Sequence, residues 1–124
     1  MAYRSQPGAL NESFSDVLGV LVKQRVLNQT AGEANWLIGD GLLTTNVQGV
    51  AIRSMKGPGT AYNGPLLGQD PQPGHMNHYQ DLPNWYDNGG VHINSGIPNH
   101  AFYFVAIQIG RYAWEKAGLI WYVI

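Results

Sequence analysis

Two pairs of ionisable side chains in this 124-residue sequence have types and spacings that could do chemistry. Glu12 and Asp16 lie four residues apart in a segment with helical periodicity, so both carboxylates would project from one helix face. Asp87 and His92 flank a Gly-Gly pair. A carboxylate next to an imidazole orients the ring and favours its protonated form. Such an imidazole can donate a hydrogen bond to negative charge that develops during a reaction.

Both pairs also have structural interpretations. A Glu–Asp pair such as Glu12 and Asp16 is more often a solvated helix face, although the flanking apolar residues favour a partly buried polar face. A histidine that follows a Gly-Gly turn, as His92 does, more often makes a structural hydrogen bond. The glycines themselves indicate only positive φ or a close backbone approach. From the residues alone, both interpretations stay open.

His75 and His78 are the other candidate metal ligands. Their spacing of three residues differs from that of HExxH, in which two imidazoles share a helix face and a glutamate activates metal-bound water. The sequence contains no His-Glu dipeptide, so it lacks this motif. Exposed loop histidines are the favoured interpretation, and adventitious metal binding is the alternative.

The composition excludes several kinds of partner. Seven Lys and Arg against eight Asp and Glu give a formal net charge of −1, so we expect no nucleic acid and no membrane partner. No segment approaches the roughly 18 apolar residues of a membrane span, and MAYRSQPG at the N-terminus contains no export signal. The absence of cysteine excludes disulfides and leaves both a cytoplasmic and a secreted location open.

The elements that position these side chains are predicted to be mainly helical. Apolar residues recur at helical spacing over residues 8–24. A second helix is predicted from residue 94 or 95 to residue 109, with Ser95 as its N-cap. A third helix is predicted over residues 111–124.

The segment between the first two helices is predicted to be mostly irregular. A helical turn is expected at residues 31–36, and a short strand or extended loop at residues 49–55. Residues 56–90 are rich in Gly, Pro, Asn, Asp and Gln, and so long an irregular stretch is usually functional. Scattered apolar side chains predict that this loop is ordered by anchors: Tyr62, Leu66, Leu67, Met76, Tyr79, Trp85 and Tyr86. The predicted fold class is one mainly α domain with long irregular loops.

Three segments, in order along the chain, carry a resemblance to a known family. GALNESFSD at residues 8–16, RSM at 53–55 and DNGGVHINSG at 87–96 resemble segments of the thermolysin-like zinc metallopeptidases. The strings WLIG, GTAY and YAWEKAG are similar to the bacterial protealysin-like branch of that family. The resemblance runs from Tyr3 to Tyr122 and implies the C-terminal helical lobe of such a peptidase.

The resemblance implies roles for both ionisable pairs. Glu12 matches the third protein ligand to zinc, and Asp16 matches the carboxylate that orients a zinc-bound histidine. His92 matches the histidine that hydrogen-bonds the tetrahedral oxyanion, and Asp87 matches the carboxylate that holds this imidazole. Tyr3 matches the tyrosine that supplies a second donor to the same oxygen.

The resemblance also implies substrate contacts. Arg53 matches the arginine that holds the substrate carbonyl just after the scissile bond, a role compatible with a salt bridge to an aspartate. Ile38, Leu42 and Ile52 match residues that line the primary specificity pocket, which prefers a large apolar side chain. Apolar residues at such positions are core residues in most proteins.

Compared with the family, this sequence is expected to be a partial helical lobe, truncated at both ends. The N-terminal β-rich lobe, the HExxH helix and the final helices have no counterpart in it. Glu12 alone cannot hold catalytic zinc, so we expect zinc in the intact enzyme, none bound by this chain, and no peptidase activity. Lys23 stands where calcium-dependent relatives place a carboxylate, which argues against calcium even though Asp40 is nearby.

The remaining expectations concern partners and alternative functions. In the family the helix that carries Glu12 packs against the HExxH helix, so its uncovered apolar face predicts self-association. The intact enzyme would act on peptide or protein substrates. The first alternative is a non-catalytic peptide-binding or regulatory module derived from the peptidase. A sugar-binding platform built from the four Trp and seven Tyr residues is a further alternative.

Overall fold

The computed structural model of the chain describes residues 2–123. Within this range the chain forms four α-helices: α1 (Ser5–Leu27), α2 (Asp87–Asn94), α3 (Gly96–Ile109) and α4 (Lys116–Val123). Two antiparallel pairs of short strands lie between α1 and α2: β1 (Leu37–Ile38) with β2 (Arg53–Ser54), and β3 (Asn63–Gly64) with β4 (Gly68–Gln69). The predicted class, mainly α with long irregular loops, is confirmed. Over the described range, no helix combines the length and apolar composition that a bilayer crossing requires.

Helix α1 is longer than predicted. The apolar periodicity predicts residues 8–24, whereas the helix runs from Ser5 to Leu27. It ends at Asn28, whose φ of 53° and ψ of 48° lie in the left-handed region that asparagine tolerates. The helix therefore ends at a local backbone signal, three residues beyond the predicted end at Gln24.

The hydrophobic core lies along one side of α1. Val17 and Val20 pack with Trp36, Met55 and Phe102, and all five side chains are at most 4% exposed. The Trp36 indole N–H donates to a backbone carbonyl at 2.9 Å, so its polar atom is satisfied inside the core. α1 is thereby fixed against both the connecting loops and α3.

Between the first two predicted helices, the expected helical turn and the expected extended stretch are both shorter than predicted. Residues 31–33 form a turn and not a helical segment. Strand β2 lies inside the predicted extended stretch and pairs Arg53 with Ile38 of β1. Because β1 packs against α1, this pairing brings Arg53 next to the helix that carries Glu12 and Asp16.

Helix α2 is absent from the sequence-based prediction, which places its first residues in a loop. From Asp87 to Gly90 every residue has a positive φ, between 51° and 86°. Asp, Asn and Gly are the residue types that tolerate this conformation, so the string DNGG forms a left-handed turn. Gly89 also lies against the start of α1, where a Cβ would be 2.6 Å from Ser5 Oγ. The turn folds Asp87 back towards His92.

The expected apolar anchors of the long irregular segment are mostly wrong. Leu66, Met76 and Trp85 are 63%, 54% and 83% exposed. Buried polar side chains hold the segment instead. The Asp70 carboxylate accepts two backbone N–H groups at 3.1 Å each, one of them from Gln72. A carboxylate that satisfies backbone donors can order an irregular segment without burying much apolar area.

The starts of α3 and α4 differ in part from the prediction. Ser95 precedes α3 as expected but does not cap it, because its hydroxyl donates to the His92 carbonyl at 3.2 Å. Gly110 and Arg111 have φ values of 77° and 55°, which interrupt the helical path, so α4 begins only after this turn. The predicted last residue of the third helix, Ile124, lies outside the described residues.

Candidate functional site

The Asp87–His92 pair is formed. His92 Nδ1 lies 2.6 Å from Asp87 Oδ1, and the His92 backbone N–H donates to Asp87 Oδ2 at 2.8 Å. An ionised carboxylate only accepts hydrogen bonds, so this contact places a proton on Nδ1 and leaves Nε2 for a ligand. The His92 side chain is 50% exposed, which makes Nε2 accessible.

Tyr3 and Glu12 meet this imidazole from α1 and the residues just before it. The Tyr3 hydroxyl donates to Glu12 Oε1 and lies 3.5 Å from His92 Nε2. Glu12 Oε2 lies 3.4 Å from the same nitrogen. The predicted metal ligand and the two predicted oxyanion donors therefore converge on one point of the surface.

Tyr3 is expected to titrate at an unusually high pH. The hydrogen bond to the Glu12 carboxylate, followed by desolvation and the charges of Glu12 and Asp87, raises the Tyr3 pKa to about 12. Because the folded pKa exceeds the ordinary value of 10.0, the contribution to stability is fully present below pH 10.0 and is lost as the pH rises towards 12. Phenolate absorbance should lose its transition near pH 12 in Tyr3→Phe, and Glu12→Gln should move that transition down. An unchanged titration in Glu12→Gln would contradict the contact.

Asp16 and Arg53 form an ion pair in which the carboxylate is buried and the guanidinium is partly exposed. Arg53 Nε and Nη2 donate to the two oxygens of Asp16 at 2.8 and 2.9 Å, and Asp16 is only 7% exposed. Asn99 Nδ2 donates to the same carboxylate at 2.9 Å, and Ser13 Oγ donates to Asn99 Oδ1 at 2.7 Å. Asp16 therefore holds Arg53 in this chain, whereas the resemblance assigns it to a zinc-bound histidine. Sequence reasoning missed Asn99 and Ser13, because no local pattern distinguishes a buried amide on α3 from other helical asparagines.

Burial opposes the charge on Arg53, but its environment keeps it charged. Desolvation would lower its pKa, while hydrogen bonds to Asp16 and the charges of Asp16, Glu12 and Asp70 raise the pKa above its ordinary value. The guanidinium is thus a permanent cation next to the His92 site. Such a group can bind a carbonyl oxygen through N–H donors that Asp16 does not use.

The three predicted specificity residues do not line one common cavity, although the Ile52 N–H donates to the Ile38 carbonyl at 2.9 Å. Ile52 lines a cavity of about 280 Å³ together with Arg53 and His92. Ile38 lies in a neighbouring cleft of about 260 Å³ beside α1. Leu42 is 70% exposed and lines neither space. The structure therefore brings one of the three predicted residues to the cavity next to the imidazole.

A larger cavity, of about 470 Å³, lies between the start of α1 and the start of α3. Leu10, Met76, Tyr79 and Ile97 contribute to its mostly apolar lining. It contains none of the predicted site residues and no charged side chain. Size alone does not make it the centre of the chemistry, so we place the candidate site at His92.

The described residues do not complete a zinc site. Within residues 2–123 no group of three or more His, Cys, Asp and Glu side chains could hold a metal ion. A catalytic zinc takes three protein ligands and keeps one position for water. Glu12 offers one carboxylate, and the exposed His75 and His78 lie in the loop at the short 3₁₀ helix Met76–His78.

Lys23 occupies a cluster of oxygens between α1 and β1. Its ammonium donates to Asp40 Oδ1 at 2.6 Å and to Asn35 Oδ1 and the Leu37 carbonyl at 3.3 Å each. An ammonium has three donors, so this set uses all of them. The hydrogen bond from Lys23 also lowers the pKa of Asp40. A fixed positive charge thus sits where these oxygens could otherwise attract a cation.

Lys23→Met is expected to lower the free energy of unfolding by about 0.5–1 kcal/mol, since the pair is partly exposed. The folded pKa of Asp40 is below its ordinary value of 3.8. The contribution of the pair is therefore present above pH 3.8 and is lost as the pH falls through the folded pKa. Urea unfolding at neutral and acidic pH should show the difference between wild type and variant shrinking in acid. A difference that stays constant with pH would contradict the ion pair.

Comparison with known proteins places this geometry in a family context. The whole chain, residues 1–124, matches the family described as "Thermolysin metallopeptidase, alpha-helical domain". Over 98% of its length it is 61% identical to Protease PrtS from Photorhabdus sp. (strain Az29) and 58% identical to the extracellular metalloprotease from Pectobacterium carotovorum subsp. carotovorum. It covers 33% and 35% of these two proteins, so it spans about a third of their length.

A solved structure shows the same fold. The chain is similar to the precursor of protealysin, a metalloproteinase from Serratia proteamaculans, with 61% identity and a TM-score of 0.95. The match covers 98% of the present chain and 37% of the precursor. The fold of this chain is therefore that of about a third of the protealysin precursor.

Proposed function

Since the chain belongs to the thermolysin metallopeptidase family, as its alpha-helical domain, we propose that it supplies the oxyanion-binding and substrate-binding half of a zinc metalloendopeptidase site. The observation that carries this proposal is the Asp87–His92 pair, whose Nε2 lies within 3.5 Å of the Tyr3 hydroxyl. Arg53 lines the same cavity as His92. Peptide-bond hydrolysis passes through a tetrahedral oxyanion. His92 and Tyr3 lie next to each other and could both donate to that charge once the Tyr3 hydroxyl turns away from Glu12.

Arg53 and Ile52 would bind the substrate. In the proposed site the guanidinium holds the carbonyl oxygen after the scissile bond, and Ile52 contacts the side chain of that residue. The cavity of about 280 Å³ accommodates a large apolar side chain. The complete enzyme should therefore prefer Leu or Phe over Asp at this position, and Ile52→Asp should weaken that preference.

Zinc in the complete enzyme would need ligands from outside this sequence. Glu12 is the residue we assign to the metal, because its carboxylate lies next to His92 and Tyr3. The sequence contains no HExxH motif, so two imidazoles and the general base must come from elsewhere. We further propose that Lys23 takes the place of calcium, so that EDTA leaves the thermal midpoint of this chain unchanged.

The chain by itself should not hydrolyse peptides. An assay with added zinc and a peptide that carries Leu or Phe after the expected cleavage site tests this directly. Measurable turnover that copurifies with the chain and disappears in His92→Ala would show that the isolated domain is sufficient.

Reconstitution tests the positive part of the proposal. The chain can be refolded together with the polypeptide that precedes the matched region in the protealysin precursor of Serratia proteamaculans. Zinc-dependent peptidase activity is expected only in the mixture. Failure with the present chain, when the corresponding protealysin segment restores activity under identical conditions, would contradict the proposed function.

A non-catalytic peptide-binding module is the second candidate. The observation that favours it is that Arg53 and His92 share an open cavity while residues 2–123 contain no complete metal cluster. Calorimetric titration of the isolated chain with an uncleaved peptide distinguishes the two functions. Binding at low micromolar concentration that is lost in Ile52→Asp, a change in the wall of the same cavity, would favour the module. An incomplete enzyme site would not require such affinity for an uncleaved peptide.

Self-association is proposed for the exposed face of α1. Leu18, Val22 and Val26 follow each other one helical turn apart and are 59%, 64% and 78% exposed. A continuous apolar stripe of this kind usually packs against another surface. In the isolated chain we assign it to a second copy, and in the complete enzyme to the missing metal-binding part.

Sedimentation velocity at low micromolar concentration tests the second copy. Val22→Lys should shift the chain towards monomer. Leu66→Lys is the matched control, since Leu66 is 63% exposed but lies between β3 and β4. If the wild-type chain sediments as a monomer, the proposed self-association is wrong. The proposed enzyme function would not be affected by that result.

A further inference from the structure

Gln72 binds the backbone carbonyl of His92, whereas Asp87 binds its backbone N–H. Its side chain belongs to the irregular segment but is only 6% exposed. Gln72 Nε2 donates to the His92 carbonyl at 2.8 Å and to Ser95 Oγ at 3.0 Å. A primary amide has two N–H donors, so both are used. Its Oε1 has no hydrogen-bond partner within residues 2–123.

The His92 carbonyl needs such a donor because it lies in the last turn of α2. The last carbonyls of a helix lack partners within that helix. α2 ends at Asn94, and the His92 carbonyl accepts from Gln72 and from the Ser95 hydroxyl. An irregular segment distant in sequence therefore satisfies this helix end.

Gln72 is itself held in place. Its backbone N–H donates to Asp70 Oδ1, while Asp70 Oδ2 accepts the Ala61 N–H, both at 3.1 Å. Asp70 is 4% exposed, so the carboxylate is shielded from water. The backbone of Gln72 is therefore held by a buried carboxylate, so the side-chain amide has a fixed starting point from which to bind His92.

His92 is consequently fixed at three points. Asp87 binds its backbone N–H and its ring Nδ1, and Gln72 binds its carbonyl. We propose that Gln72 is a positioning residue for His92, which keeps Nε2 aimed at the point it shares with Tyr3. The inference rests on the proposed function, because it is the oxyanion-binding role of His92 that requires a fixed ring. Small displacements of such a donor lower its effect on a transition state steeply.

The first measurement needs no enzyme activity. In the isolated, ¹⁵N-histidine-labelled chain, NMR at one fixed pH records the ¹⁵N shifts of the His92 ring and the proton signal of its Nδ1–H. Gln72→Met has a similar length without N–H donors, and Gln72→Glu keeps the shape but only accepts when ionised. Both variants should change the ¹⁵N shifts of the His92 ring and weaken the Nδ1–H signal. If Gln72→Met does not fold, Gln72→Glu still tests whether the amide donors of Gln72 position the His92 ring.

Gln24→Met is the matched control. Gln24 is another buried glutamine, 2% exposed, and neither atom of its amide group has a hydrogen-bond partner within residues 2–123. It lies near the end of α1 and contacts no site residue through its amide. The His92 signals should stay unchanged in this variant. Unchanged signals in both Gln72 variants, or equal changes in Gln24→Met, would overturn the proposal.

The second measurement uses the reconstituted enzyme. Gln72→Met should lower kcat about tenfold or more and leave KM nearly unchanged, because the contact matters only where charge develops. An active mixture with wild-type kcat in Gln72→Met overturns the positioning role. If the mixture is inactive but the His92 NMR signals change as expected, the proposed function fails and the contact between Gln72 and His92 stands.

Discussion

Arg53→Met is expected to lower the free energy of unfolding by about 3–5 kcal/mol. The guanidinium makes two hydrogen bonds to Asp16, at 2.8 and 2.9 Å, and the carboxylate is 7% exposed. Without Arg53 the carboxylate would stay in the protein with Asn99 as its remaining side-chain donor. A buried charge that loses its partner destabilises the fold more than the pair itself stabilises it. Urea unfolding followed by tryptophan fluorescence measures the loss.

Two further variants separate the charge from the shape of the side chain. Asp16→Asn in the Arg53→Met background removes the unpaired charge and should restore part of the lost stability. Arg53→Lys keeps the cation but cannot form the two parallel hydrogen bonds, so an intermediate loss is expected. A loss below about 1 kcal/mol in Arg53→Met would mean that water screens Asp16 and that the pair behaves as a surface ion pair.

The helices could be predicted wherever their signals are local. α1 and α3 carry apolar residues at helical spacing, and the periodicity locates both to within a few residues. The C-terminal end of α1 lies three residues beyond the predicted end at Gln24, because the helix stops only where Asn28 adopts the left-handed conformation. α2 could not be predicted in this way. Its first four residues are left-handed. They depend on the close approach of Gly89 to Ser5, which leaves no room for a side chain, and on the hydrogen bonds of Asp87, and sequence spacing reveals neither.

The residues of the candidate site also divide into those that the sequence could predict and those that it could not. Motif resemblance identified the residues that the structure brings together around His92, because a motif preserves positions whose contacts are distant in sequence. It did not identify Gln72 or Asn99, which act through single hydrogen bonds from a loop and from a helix face. It also included Leu42, an apolar residue that is 70% exposed. Apolar type alone cannot distinguish a pocket wall from a surface that another part of the protein would cover.

His92→Ala in the reconstituted enzyme is expected to lower kcat about 10²–10³-fold, the usual effect of removing one oxyanion donor. The imidazole is held by Asp87 through a contact of 2.6 Å and needs no rearrangement to meet the developing charge. Because the ground-state carbonyl carries little charge, KM should change much less than kcat. Steady-state kinetics on one peptide substrate, with zinc held constant, measures both parameters.

His78→Ala is the control for the loss of a histidine, since His78 is exposed and lies in the loop. Its kcat and KM should both match the wild type. If His92→Ala instead raises KM and leaves kcat unchanged, the imidazole would bind the substrate in its ground state and would not stabilise the transition state. That outcome would leave Tyr3 as the remaining oxyanion donor of this chain, and Tyr3→Phe would then have to show the larger loss of kcat.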